Sequence, residues 1–143
     1  MDRTDEIDEY LNDFGLDAED ILSVKSRNKY LQITLEEDVI EVLGFLQNNC
    51  KLDKDEIKHL IINNPLILTE SVQRISLLDT MYKNIGFTGK EYRKYINSFD
   101  KAFSLNPKGV FEKIESMAKR GKSRKEIKNI IIKNGYGVFE NCI

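Results

Sequence analysis

A helix-start signal recurs every 35 residues along this chain, and that recurrence restricts the possible folds more than any single motif does. Asp53-Lys54-Asp55-Glu56-Ile57, Thr88-Gly89-Lys90-Glu91-Tyr92 and Ser123-Arg124-Lys125-Glu126-Ile127 each place a capping residue three positions before Glu and four before an apolar residue. The cap side chain accepts the N3 amide while the Glu carboxylate accepts the cap's own amide. Each box therefore starts a helix with its otherwise free N–H groups satisfied. A degenerate fourth copy, Asp17-Ala18-Glu19-Asp20-Ile21, lies 36 residues upstream of the first box.

Each box follows another helix with its own start signal: Thr4, Thr34 with Glu37 at N3, Thr69, and Asn106 before Pro107. Apolar anchors on these first helices, Leu11, Leu46, Met81 and Met117, precede Ile21, Ile57, Tyr92 and Ile127 by 10 or 11 residues. Gly15, Gly86 and Gly121 fall in the connections, where a helix C-terminus takes a left-handed residue, and Lys51 holds that place in the second copy. On the second helices Ile57, Leu60, Ile61 and Leu68 match Tyr92, Tyr95, Ile96 and Phe103, then Ile127, Ile130, Ile131 and Val138. A helix pair of this size cannot bury its apolar stripe alone, whereas stacked copies can. The expected fold is all-α, an α-solenoid of about four helix-turn-helix repeats, placed near 4–33, 34–68, 69–105 and 106–139 in a single domain over 1–143.

Residues 42–68, VLGFLQNNCKLDKDEIKHLIINNPLIL, and the following TESVQRISLLDTMYKNIGFTGKEYRKYI resemble the repeats of the mitochondrial transcription termination factor (mTERF) family. The shared elements are a Leu-rich first helix, a turn reading G-[FK]-x-x-[KRE]-E-[IY], an Ile/Leu second helix and the Asn64-Pro65-Leu66-Ile67-Leu68 tail. The resemblance covers roughly residues 34–139, with 4–33 as a divergent first copy. It implies a short third helical turn in each repeat and a curved superhelix that binds nucleic acid, usually duplex DNA, along a basic surface. The chain departs from the family in having Pro65 alone, with Asp100 and Gly135 at the equivalent sites, in having about four copies, and in having no organelle transit peptide. Heavy use of Lys, Asn and Ile points to an AT-rich coding source, bacterial or phage.

The formal net charge of −2 conceals a gradient. Residues 1–50 carry 13 Asp/Glu against 4 Lys/Arg, and residues 89–143 carry 13 Lys/Arg against 6 Asp/Glu. Lys58, Arg93 and Lys128 occupy one repeat position, directly after the apolar anchor of each second helix. Lys90 and Lys125 fall two before it, with Lys94 and Arg124 alongside. Such a column can follow a phosphate backbone, although exposed helix positions are also commonly basic. The expectation is a non-enzymatic nucleic-acid-binding protein, acting on duplex DNA through Lys58, Lys90, Arg93, Lys94, Arg124, Lys125 and Lys128 and regulating transcription. The rival is a protein-interaction module or inhibitor whose acidic N-terminal half docks a basic partner; a third reading is a homodimer formed through apolar end repeats. Tyr10, Tyr30, Tyr82, Tyr92, Tyr95 and Tyr136 would stack on bases if exposed, yet their helical spacing fits a core.

No cofactor, metal or small-molecule substrate is expected. Cys50 and Cys142 are isolated and His59 is the only histidine, which leaves no metal-ligand spacing, and no GxGxxG, P-loop, HExxH or GxSxG occurs. The acidic stretch from Asp2 to Asp13 and the run Glu36-Glu37-Asp38 sit in first helical turns, where they complement the helix dipole. Hydrophobic runs are too short for a membrane span and the N-terminus lacks a signal-like segment, so a cytoplasmic location is expected.

Overall fold

The computed structural model describes residues 3–143, with side chains from Glu6 onward. Regular structure among them is helical throughout: α1 (Arg3–Asp13), α2 (Ala18–Arg27), α3 (Glu36–Asn48), α4 (Lys54–Asn63), α5 (Val72–Asn84), α6 (Gly89–Ser98), α7 (Pro107–Lys119) and α8 (Arg124–Phe139). Short 3₁₀ turns occupy Lys29–Gln32, Pro65–Thr69 and Glu140–Cys142. The chain divides into two compact units, residues 1–72 and 73–143. In the first, α1 packs on α3 and α2 on α4, so first helix lies beside first helix and second beside second. In the second, α7 and α8 pack closely and Lys128 of α8 reaches Glu91 of α6.

The capping boxes at Asp53 and Ser123 are closed in both directions, with Glu56 N donating to Asp53 Oδ1 at 2.8 Å and Glu126 N to Ser123 Oγ at 3.1 Å. The upstream copy is equally complete: Asp20 stands at N3, its amide 2.8 Å from Asp17 Oδ1 and its carboxylate 3.1 Å from the Asp17 amide. Thr88 makes no side-chain cap bond, and Gly89 after it has φ +52°, which turns the first α6 amides away from the hydroxyl. Asn106 does cap α7, its Oδ1 accepting from Lys108 N at 3.0 Å. Thr34 and Thr69 close preceding turns instead of opening helices. Thr34 Oγ1 donates to Tyr30 O at 2.6 Å, and Thr69 ends the Pro65–Thr69 turn. The helices they were expected to start begin at Glu36 and Val72. Thr4 lies within α1, and its side chain and Asp2 fall outside the described residues.

Each first helix ends in a left-handed cap. Gly15, Gly86 and Gly121 have φ of 92°, 105° and 87°, and Lys51 takes the same role at φ 60°. The amides of Leu16, Phe87 and Lys122 return to the carbonyls of Leu11, Tyr82 and Met117, which is the Schellman closure, and in the second copy the Leu52 amide reaches one residue further back, to Leu46. This identifies the third anchor as Tyr82, fully buried, and not Met81, which is half-buried. The second copy carries one extra residue between anchor and cap, so the 11-residue spacing belongs there and the other three copies use 10. A non-glycine residue in the left-handed region is strained by about 1–2 kcal/mol, part of which glycine gives back through unfolded-state entropy. Exposed Lys51→Gly is therefore expected to stabilise the protein by about 0.5–1 kcal/mol, read as a higher urea midpoint at unchanged m; an unchanged or lower midpoint would contradict the cap assignment.

Each second helix also stops in one way. Asn28, Asn64, Phe99 and Asn134 leave the helix with φ/ψ near −132°/89°, −140°/77°, −126°/88° and −153°/58°. These breaks are spaced 36, 35 and 35 residues apart, as are the anchors Ile21, Ile57, Tyr92 and Ile127. The break at Asn134 lies inside α8, which is therefore two helical segments joined at a kink, Asn134 standing where the other second helices end. Buried Asn28 joins two copies: its Nδ2 donates to Pro65 O at 2.9 Å and to Thr69 Oγ1 at 3.1 Å, while Oδ1 accepts from Tyr30 N at 3.1 Å.

Candidate nucleic-acid interface

The post-anchor basic residues are not free side chains on an open face. Lys58, Arg93 and Lys128 are all half-buried. In the first unit the Lys58 stem crosses the cap of the first copy, where a Cβ on Gly15 would lie 3.5 Å from Lys58 Cδ. In the second unit Lys128 repeats the arrangement over Gly86, at 3.8 Å from its Cδ. In each of these two units a lysine directly after the anchor thus seals the glycine turn of the copy before it, burying its methylenes and presenting its ammonium at the rim. Lys128 Nζ is also 2.9 Å from Glu91 Oε1, with 19% of its side chain exposed.

That pair leaves a basic surface around it. Lys90 and Lys94 on α6, with Arg93 between them, and Arg124 and Lys125 in the first turn of α8 bracket the Lys128–Glu91 contact, and all but Arg93 are exposed. Spacings of three and four put Lys90, Arg93 and Lys94 on one side of α6 and Lys125 on the side of Lys128. Among the described residues no carboxylate lies within ion-pair range of Lys90, Lys94, Arg124 or Lys125. Beside this surface runs a cleft of about 500 Å³ between α6 and the end of α8, flanked by Lys94, Lys133 and Tyr136. Tyr136 is 49% exposed, its ring centroid 4.4 Å from that of Phe99 and its hydroxyl donating to Asp100 Oδ1 at 2.9 Å. Desolvation first and the Asp100 carboxylate second hold its pKa above the usual tyrosine range, so it remains a neutral donor.

The other tyrosines divide by position. Tyr82, Tyr92 and Tyr95 are buried in an aromatic cluster with Phe87 and Phe103, whereas Tyr30 is exposed in the first unit. His59 is exposed beside Asn63. Lys133 escaped the sequence reading because its repeat equivalent is Ser98, so it belongs to no column.

A family profile described as mTERF matches residues 3–134. The chain belongs to the mTERF family. The match ends at Asn134, the residue at which the fourth second helix breaks. mTERF proteins are non-enzymatic, nucleic-acid-binding helical-repeat proteins, and the all-helical architecture agrees with an mTERF-type α-solenoid. No curated protein matches the chain. Among the described residues no helix is long and apolar enough to cross a membrane.

Proposed function

We propose that this mTERF-family chain binds duplex DNA without catalysis and regulates transcription by doing so. The observation that carries this reading is the exposed set Lys90, Lys94, Arg124 and Lys125 around a Glu91 that Lys128 already neutralises. Arg93 and Lys128 belong to the same surface, and Lys58 is a phosphate contact of the first unit by itself. Ammonium and guanidinium groups on adjacent helices meet successive phosphates and release condensed counterions, so binding is electrostatic and strongly salt-dependent. Ammonium and guanidinium groups that meet phosphates position the duplex and read few base edges, so sequence discrimination is weak.

The test is fluorescence anisotropy with a labelled duplex, a single strand and an RNA hairpin across a salt series. Each lost phosphate contact reduces the slope of log K against log salt by about 0.9, so Lys94→Gln with Lys125→Gln is expected to reduce it by about 1.8. Duplex affinity at low salt should fall about tenfold for that pair. An unchanged slope, or equal affinity of wild type for all three probes, would overturn the duplex assignment.

A further inference from the structure

We propose that the groove between the Lys29–Gln32 and Pro65–Thr69 turns of the first unit docks a basic, apolar-studded segment of a protein partner. Tyr30, Ile33, Leu35 and Leu66 line it, exposed by 62%, 77%, 52% and 38%, around a volume of about 530 Å³. Single exposed apolar residues are ordinary, but four large ones sharing one groove mark a contact surface. Tyr30 and Leu66 both stand two residues after the break of their copies, so stacking of the copies sets them side by side. The groove is held in shape before any partner arrives, because Asn28 ties one turn to the other and Thr34 fixes the carbonyl of Tyr30. Preformed sites lose less ordering entropy on binding.

The charge around the groove identifies the occupant. Asp38 and Glu70 line it and no Lys, Arg or His does; Lys29 lies outside the lining. Glu37 is exposed one residue before Asp38. Behind them α1 and α3 crowd further carboxylates: a hydrogen bond that protonated Glu36 donates to Glu6, then desolvation, then the charges of Glu6, Glu37 and Glu9 raise the pKa of Glu36. This surface repels nucleic acid and anionic bilayers alike, and it complements a segment in which Leu, Ile or Phe alternate with Lys or Arg. This groove shares no residue with the basic surface of the second unit, so docking here does not depend on duplex binding.

A fluorescein-labelled helical peptide of Leu and Lys heptads, its Leu/Glu counterpart and its Ser/Lys counterpart would be titrated against the full chain. The Leu/Lys peptide is expected to bind, with amide shifts in ¹⁵N spectra confined to residues 30–38 and 66–70, and the two counterparts to bind at least tenfold more weakly. Ile33→Ser with Asp38→Lys should weaken the Leu/Lys peptide at least tenfold, with an unchanged circular-dichroism spectrum as the folding control, since both positions are exposed. Shifts confined to α1 and α2, equal binding of the Ser/Lys peptide, or a dimer in sedimentation equilibrium that Ile33→Ser dissolves would each overturn the proposal, the last by making a second copy the occupant.

Discussion

Asp79→Ala is expected to destabilise the protein by about 3 kcal/mol, the larger of two stability effects that follow from buried polar contacts. Asp79 is buried on α5, accepts a short hydrogen bond from the Tyr92 hydroxyl and is 3.0 Å from Lys83 Nζ, which lies over the Tyr92 ring. The other copies have Ile21, Ile57 and Ile127 where this one has Tyr92. A phenol in that buried position needs an acceptor, and the residue three before the first-helix anchor supplies it. The corresponding residues are Leu43 and Ile114 in the second and fourth copies, where the facing anchor is apolar, and Asp8 in the first, where Lys25 pairs with it at 2.7 Å. Removing one partner strands the other, whereas removing both does not. Asp79→Leu combined with Tyr92→Phe should therefore recover at least half of the loss, measured by urea denaturation. If the double variant falls as far as the sum of the singles, the coupling is absent.

Asn28→Ala is expected to lower stability by about 2–3 kcal/mol. The side chain supplies two donor contacts to the next copy and one acceptor contact within its own turn, and alanine leaves a buried Pro65 carbonyl and the Tyr30 amide without them. Asn28→Asp should be at least as damaging, because it keeps the acceptor, loses the donor and buries a charge. A loss below about 0.5 kcal/mol for alanine would show that water replaces the amide and that the contact does not hold the copies together.

Helical class, repeat period and glycine caps were legible because each rests on residues that report local backbone chemistry: Asp53 and Ser123 followed by Glu, and glycines at left-handed turns. Even the departure at Lys51 was readable, since its position alone required a left-handed backbone. The third anchor was misplaced by one residue because a single insertion in the second copy shifts its spacing, and a period carries no mark of where an extra residue enters. Thr34 and Thr69 misled for a related reason: a hydroxyl that can cap a following helix can equally bond backward to a preceding carbonyl, and tertiary packing decides. At the candidate interface, recurrence identified Lys58, Arg93 and Lys128 but could not show that their stems are partly buried. Lys133 and the Tyr30–Leu66 groove were invisible to it, since one has Asn63 and Ser98 as its uncharged repeat equivalents and the other exists only when two copies stack.

The Lys58 and Lys128 stems laid across Gly15 and Gly86 have one more consequence. An exposed lysine sweeps a wide volume and surrenders that freedom when it meets an anion, a loss of about 1–2 kcal/mol. A lysine already lying along the turn beneath it has given up most of that freedom during folding. Its ammonium is offered at one height and one reach above the turn it covers, a charge whose position is set when its own unit folds.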